Sequence, residues 1–176
     1  MGFLVSGSLA RLEALDAADI DLVTLCPAEC DKESAEAIDK SIRAVLAGEL
    51  GVKVSSWQNF TGPTYLADVA DPKHIGGTED STNLLTKRMF LLAGSRPVIN
   101  PQMRQTFRDA IFNAFFSSEA TKRRHLISLI DDFVRFYRTL CVDYKSRVDW
   151  EGKTWAPRYL KLRHSRKMWF FSIVLG

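Results

Sequence analysis

The residues of this 176-residue chain whose types and spacing suit chemistry are two acids, Asp19 and Asp21, and a bend, Ser6-Gly7-Ser8, that ends eleven residues before the first of them. In an extended segment side chains alternate between faces, so Asp19 and Asp21 project to one side while Ile20 and Leu22 turn to the other. Two carboxylates on one side make a hard-oxygen clamp for a divalent ion, Mg²⁺ or Mn²⁺, that also binds polyphosphate oxygens. Gly7 lets backbone approach a ligand closely, and the Ser8 hydroxyl with the exposed N–H groups of the bend favours an anion. Together they suit an in-line displacement at the α-phosphate of a nucleotide, with metal charge shared between carboxylates and triphosphate.

Two strands must hold these residues. Phe3-Leu4-Val5 is apolar and ends at the bend, and Ile20 to Leu25 alternates with the two acids at the strand period. Pro27 closes the second strand. Ala37, Ile38, Ile42, Val45 and Leu46 then recur at helical spacing through Ser34–Leu46, a helix stopped by Gly48 and Gly51. Val52–Trp57 alternates weakly as a third strand. Residues 58–80 are loop-like, punctuated by Gly62-Pro63, Asp71-Pro72 and Gly76-Gly77, with Thr64–Val69 as the one candidate strand. Everything beyond is helical in pattern: Ser81–Ala93, Pro101–Phe116 capped by Asn100, Glu119 to near Arg147 capped by Ser118, and a last helix starting near Pro157. Leu126, Leu129, Ile130, Phe133, Tyr137 and Leu140 form one apolar stripe of the longest helix, a core contact. The expected fold is α+β, with a small mixed-sheet core over residues 1–80 followed by a helical domain over residues 81–176.

The stretch LVSGSLARLEALDAADIDLVTL, an apolar strand, Gly-Ser, a spacer and Asp-x-Asp within a second apolar strand, resembles the polymerase-β-like nucleotidyltransferase superfamily. Through Gly7-Ser8-Leu9-Ala10-Arg11 and the later IGGTEDSTNLLTKRMFLLAGSRPVIN it is most similar to the protein-PII uridylyltransferase type and its nucleotidyltransferase-like relatives. The resemblance implies that Gly7 and Ser8 hold the triphosphate of an NTP, that Asp19 and Asp21 ligate the metal, and that Arg11 either touches phosphate or stays a surface side chain. It further implies transfer of an NMP group to a hydroxyl or phosphate acceptor, with a protein acceptor and hence signal transduction in view.

Members of that superfamily carry a third carboxylate on a following strand, where it supports the metals and serves as base. The matching strand here, Gly51–Trp57, offers Lys53 and Ser55 instead. Asp80, beside Gly76-Gly77, is therefore expected to fill the catalytic place, with Asp68 as the other loop acid. Without a third acid the alternative is a catalytically degenerate fold that binds nucleotide or a regulatory partner. Members also have a helix ahead of the first strand, whereas this chain opens almost directly on it, so a fragment or a shortened version of something larger is expected.

The charge is unevenly spread: residues 1–86 carry 6 basic and 14 acidic side chains, residues 87–176 carry 18 and 7. Arg158, Lys161, Arg163, Arg166 and Lys167, with Trp155 and Tyr159 among them, could meet nucleotide phosphates or RNA, as in a helical RNA-binding or toxin-antitoxin-type module. They equally make a solvated face that offsets the acidic first half, and nucleic acid ranks behind NTP as a partner. Arg135 and Arg138 lie near Asp131 and Asp132, which intrahelical pairing explains. His74, His125 and His164 have no ligand-spaced companions, and Ser95 lacks the setting of a nucleophile elbow and reads as a helix-end residue. Three cysteines exclude a disulfide framework and point to a reducing compartment. No signal peptide is legible, and the apolar run Trp169–Leu175 falls short of the roughly 20 residues that span a bilayer. A soluble cytoplasmic protein without membrane contact is expected, with an apolar terminus that favours oligomers.

Overall fold

A computed structural model of the chain describes residues 1–14, 18–56, 60–76, 81–116 and 122–175. The fold is α+β, with a four-stranded mixed sheet in the order β3-β2-β1-β4. β1 (Gly2–Ser6) runs straight into the short helix α1 (Gly7–Ala10), and β2 (Asp21–Cys26) returns antiparallel beside β1. Next comes α2 (Lys32–Gly48), opened by Asp31, whose carboxylate accepts from the Ser34 N–H at 2.8 Å. β3 (Thr64–Tyr65) lies parallel to β2 and leads into α3 (Leu66–Val69). α4 (Thr82–Ala93) is capped by Ser81, whose hydroxyl accepts from the Leu84 N–H at 3.2 Å. β4 (Ser95–Ile99) then pairs antiparallel with the free edge of β1, and α5 (Pro101–Phe116) follows.

The apolar residues of β1 and β2 explain why these two strands form the centre: Phe3, Leu4, Leu22, Val23 and Leu25 are all buried. α4 contributes Leu85, Met89, Leu91 and Leu92, while α5 buries Phe107, Ile111 and Phe115 completely, at a constant spacing of four that makes one stripe. Phe60 stacks obliquely on Phe90, with ring centroids 5.1 Å apart. α2 is tied to β2 by polar contacts instead. The buried Asp39 accepts from the Thr24 hydroxyl and, at 2.7 Å, from Arg43 Nε, and Arg43 also donates to the Leu22 carbonyl at 3.1 Å. Each charge taken from water thus meets a partner, without which burial would be costly.

Two compact units divide the chain, Met1–Ala120 and Thr121–Gly176. The sequence reading places the boundary at residue 80 and makes everything beyond it helical; both points change for one reason. Ser95-Arg96-Pro97-Val98-Ile99 is a strand, so the chain returns to the sheet after α4, and α4 and α5 belong with the first unit. The expected strand over Val52–Trp57 contracts to a single parallel bridge between Ile20 and Val54 among the described residues. Of Thr64–Val69, the first two residues are strand and the rest form α3.

The second unit comprises α6 (Lys122–Glu151), α7 (Trp155–Leu160), a π-helical stretch over Lys161–Arg166 and α8 (Lys167–Leu175). Leu129, Phe133, Phe136 and Leu140 are buried on α6. Phe133 and Tyr137 meet the Phe170 ring at 6.5 and 5.3 Å, and the Tyr137 hydroxyl donates to the Leu162 carbonyl at 3.3 Å. Ser118, Glu119 and the Leu126 side chain, which the sequence reading assigned to this helix and its cap, lie outside the described residues. Among the described residues, no helix is long and apolar enough to cross a membrane.

Candidate functional site

The antiparallel register sets Ser6 opposite Asp21, so the bend at Gly7 falls directly beside that acid. Gly7 has φ +66°, a conformation that side chains other than glycine's adopt only with strain. A Cβ built on Gly7 would stand 2.0 Å from Asp21 Oδ2. The carboxylate therefore rests on the space that the glycine leaves open. Asp19 is two residues upstream, and Ile20 between them is fixed in extended form: its N–H donates to the Lys53 carbonyl at 2.8 Å and its carbonyl accepts from the Ser55 N–H at 2.9 Å. The strand period of two predicts a common side for Asp19 and Asp21.

The remaining expected site residues fall as follows. Ser8 is half-buried in α1, where its carbonyl accepts from the Glu13 N–H at 2.8 Å. Arg11 ends α1 and pairs with Glu13 through Nε at 3.3 Å. Asp80 lies outside the described residues. Asp68 is on α3, where its charge acts on Lys87 of α4, a lysine whose pKa is lowered mainly by burial. In the position where a third acid was sought, Lys53 instead pairs with Asp19 at 3.0 Å, and the Ser55 backbone holds Ile20.

A polar row that residue type and spacing do not reveal crosses this end of the sheet. Ser6 lies opposite Asp21 on one side and opposite Ser95 on the other, so Ser95, Ser6 and Asp21 share one face on three successive strands, each about 4.8 Å from the next. Both serines are buried, and the Ser95 hydroxyl accepts from Arg104 Nε at 3.1 Å. Burial and the neighbouring Arg108 lower the pKa of Arg104, yet a guanidinium keeps its charge. Ser95 reads as a helix end in sequence because its strand is short and does not alternate. The usable signal was the β-branched pair Val98-Ile99 followed by Asn100-Pro101, a strand stopped by a turn.

Among the described residues no three His, Cys, Asp or Glu side chains cluster as a complete metal cage. Asp19 and Asp21 are the residues that would hold Mg²⁺, which usually takes one or two carboxylates and completes its shell with water and substrate phosphates. Lys53 is then a competitor for one oxygen of Asp19. At the far end of β2, Cys26 is fully buried, and burial, with the adjacent Cys30, pushes its pKa up to about 12. Such a thiol stays protonated at neutral pH and is no nucleophile. No family model, no curated protein and no solved structure matches this chain.

Proposed function

We propose that the Met1–Ala120 unit is a nucleotidyltransferase that moves an NMP group from an NTP to a hydroxyl or phosphate acceptor and releases pyrophosphate. The observation that carries this reading is the seating of the Asp21 carboxylate against the Gly7 bend, which brings an acid and a close-approach backbone together at one end of the sheet. In the proposed reaction the Gly7 backbone and Ser8 receive the triphosphate, and Asp19 and Asp21 hold Mg²⁺ or Mn²⁺. When bound, that ion offsets charge building on the phosphoryl oxygens. Arg104, anchored on Ser95 in the same row, adds a fixed cation at that end of the sheet. Removal of the proton from the attacking hydroxyl is assigned to Asp80 on sequence grounds alone. A protein acceptor and a role in signal transduction follow from the resemblance to uridylyltransferases, and a cytoplasmic site of action fits the sparse cysteines.

A second reading, nucleotide binding without turnover, draws support from one contact: Lys53 sits on Asp19 where a third carboxylate would assist the metals. The two readings separate in one experiment. Incubation with α-³²P-labelled NTPs, Mg²⁺ and a lysate of acceptors should transfer label and release pyrophosphate, and both should vanish in Asp19→Ala and Asp21→Ala. Nucleotide binding by calorimetry with no pyrophosphate over hours selects the second reading. Equal labelling by the wild type and both variants rejects the site altogether.

A further inference from the structure

The second unit, residues 121–176, carries 13 basic and 5 acidic side chains, and no acid follows Glu151. Three acids of α6 are engaged within the helix: Asp132 with Arg135 at 3.0 Å, Asp143 with Arg147 at 3.0 Å, and Asp149 with Lys145. The stretch from α7 to α8 therefore bears cations with no acid of its own. Five of its exposed side chains follow one another in steps of four: Trp155, Tyr159, Arg163, Lys167 and Phe171. Contacts join the first three and the last two. The Trp155 and Tyr159 rings lie 5.8 Å apart, the Arg163 guanidinium is 5.8 Å from the Tyr159 ring and donates to its hydroxyl at 3.0 Å, and Lys167 Nζ is 5.9 Å from the Phe171 ring.

Helix geometry explains why the line stays on one face. At 3.6 residues per turn, each step of four overshoots by about 40°, and an unbroken α-helix would wind the line away. The π-helical stretch Lys161–Arg166, with its i→i+5 bonds, rotates less per residue and takes back part of that drift. The neighbouring line, Leu162, Arg166 and Phe170, is buried, and its contacts with Tyr137 and Phe133 fix which way the segment faces. Arg166, grouped with the other cations by sequence, is thereby removed from the exposed set.

We propose that this line is a docking surface for single-stranded nucleic acid, with bases stacking on Trp155, Tyr159 and Phe171 and phosphates meeting Arg163 and Lys167. Sequence-tolerant binding of single strands combines these two elements, cations along the backbone path and aromatic faces for bases. A helix that lies on an anionic membrane separates cations from apolar side chains onto opposite faces. Here two rings, two cations and a further ring share a single line, which offers one strand both stacking faces and charge for its phosphates. The inference is independent of the transferase reading, since every residue in it belongs to the other unit.

The test is fluorescence anisotropy of a fluorescein-labelled oligouridylate with the full chain, between about 50 and 200 mM KCl. Affinity should fall linearly on a log–log plot against salt, and the Arg163→Ala/Lys167→Ala double variant should reduce the slope by about 1.4, the value for two phosphate contacts on a single strand. Trp155→Ala and Tyr159→Ala should each weaken binding roughly tenfold with the slope unchanged. Trp155→Phe and Tyr159→Phe should restore most of it. Tyr159→Leu keeps the apolar bulk without the ring face and should lose as much as Tyr159→Ala, which covers the case of an alanine variant that fails to fold. The proposal is overturned by absence of binding at the lowest salt, or by ring variants that bind like the wild type, which would mean polyanion adsorption only. Sedimentation with phosphatidylserine vesicles by a protein that ignores the oligonucleotide would also overturn it, in favour of a lipid surface.

Discussion

Replacing Gly7 by alanine tests the site and its packing at once. The backbone there has φ +66°, which costs an alanine ~1–2 kcal/mol. Its methyl would arrive 2.0 Å from Asp21 Oδ2, far inside the 3.4 Å at which ordinary contact begins. The backbone of β1 and β2 is locked by pairing, so the Asp21 side chain must turn away, at ~0.5–1.5 kcal/mol for leaving its rotamer. The expected destabilisation is ~1.5–3.5 kcal/mol, which a domain of ordinary stability survives. Urea denaturation measures it. In an Asp21→Ala background the obstructing oxygen is gone, so the cost of Gly7→Ala should drop to the backbone part, ~1–2 kcal/mol, a coupling of roughly 1 kcal/mol. Mn²⁺ binding, followed by electron paramagnetic resonance, should fall in Gly7→Ala as it does in Asp21→Ala, because the displaced carboxylate no longer faces the bend. Equal costs of Gly7→Ala in the two backgrounds, together with unaltered Mn²⁺ affinity, would refute the reasoning.

Asp39→Ala leaves Arg43 and the Thr24 hydroxyl without their shared buried acceptor and should cost ~3–5 kcal/mol in urea denaturation, while Asp39→Asn, which keeps an acceptor for Thr24, should cost less. Lys53→Met should tighten Mn²⁺ binding by no more than about fivefold, since an exposed ion pair contributes ~0–1 kcal/mol; titration calorimetry reads the change. Iodoacetamide at pH 8 should label Cys30 well before Cys26, resolved by peptide mass spectrometry. Because the Cys26 pKa is raised by folding, its contribution to stability is intact below the unfolded value near 9 and declines as pH climbs from there towards 12, a trend that Cys26→Ala should remove.

Strands β1 and β2 and helices α2, α4, α5 and α6 are legible because each carries its own period and end signals, such as Asp31 and Ser81 at the caps and Pro101 after Asn100. β4 is illegible for a physical reason. Four of its five residues, Arg96 to Ile99, are exposed, so no buried alternation marks it, and its partner Phe3–Ser6 is some ninety residues away in sequence. The third strand failed in the opposite direction: Val52–Trp57 has a strand-like pattern, yet among the described residues it contributes a single bridge, from Val54 to Ile20. At the site, the small-residue bend and the expectation of one-sided acids follow from residue type and period. That Asp21 leans on Gly7, that Lys53 takes Asp19, and that Ser95 and Arg104 join the row depend on register between distant segments, which composition does not encode.

The two borders of the sheet share a further property. On one side β3 is a strand of only two residues; on the other, β4 sets Pro97, which has no N–H to offer, between the cation Arg96 and the uncovered Val98 and Ile99. A strand from another molecule would find too short a template at the first border and an interrupted one at the second. Val98 and Ile99 can therefore stand in water without seeding ladder growth. A Pro97→Val exchange should therefore make the folded chain more prone to strand-wise aggregation.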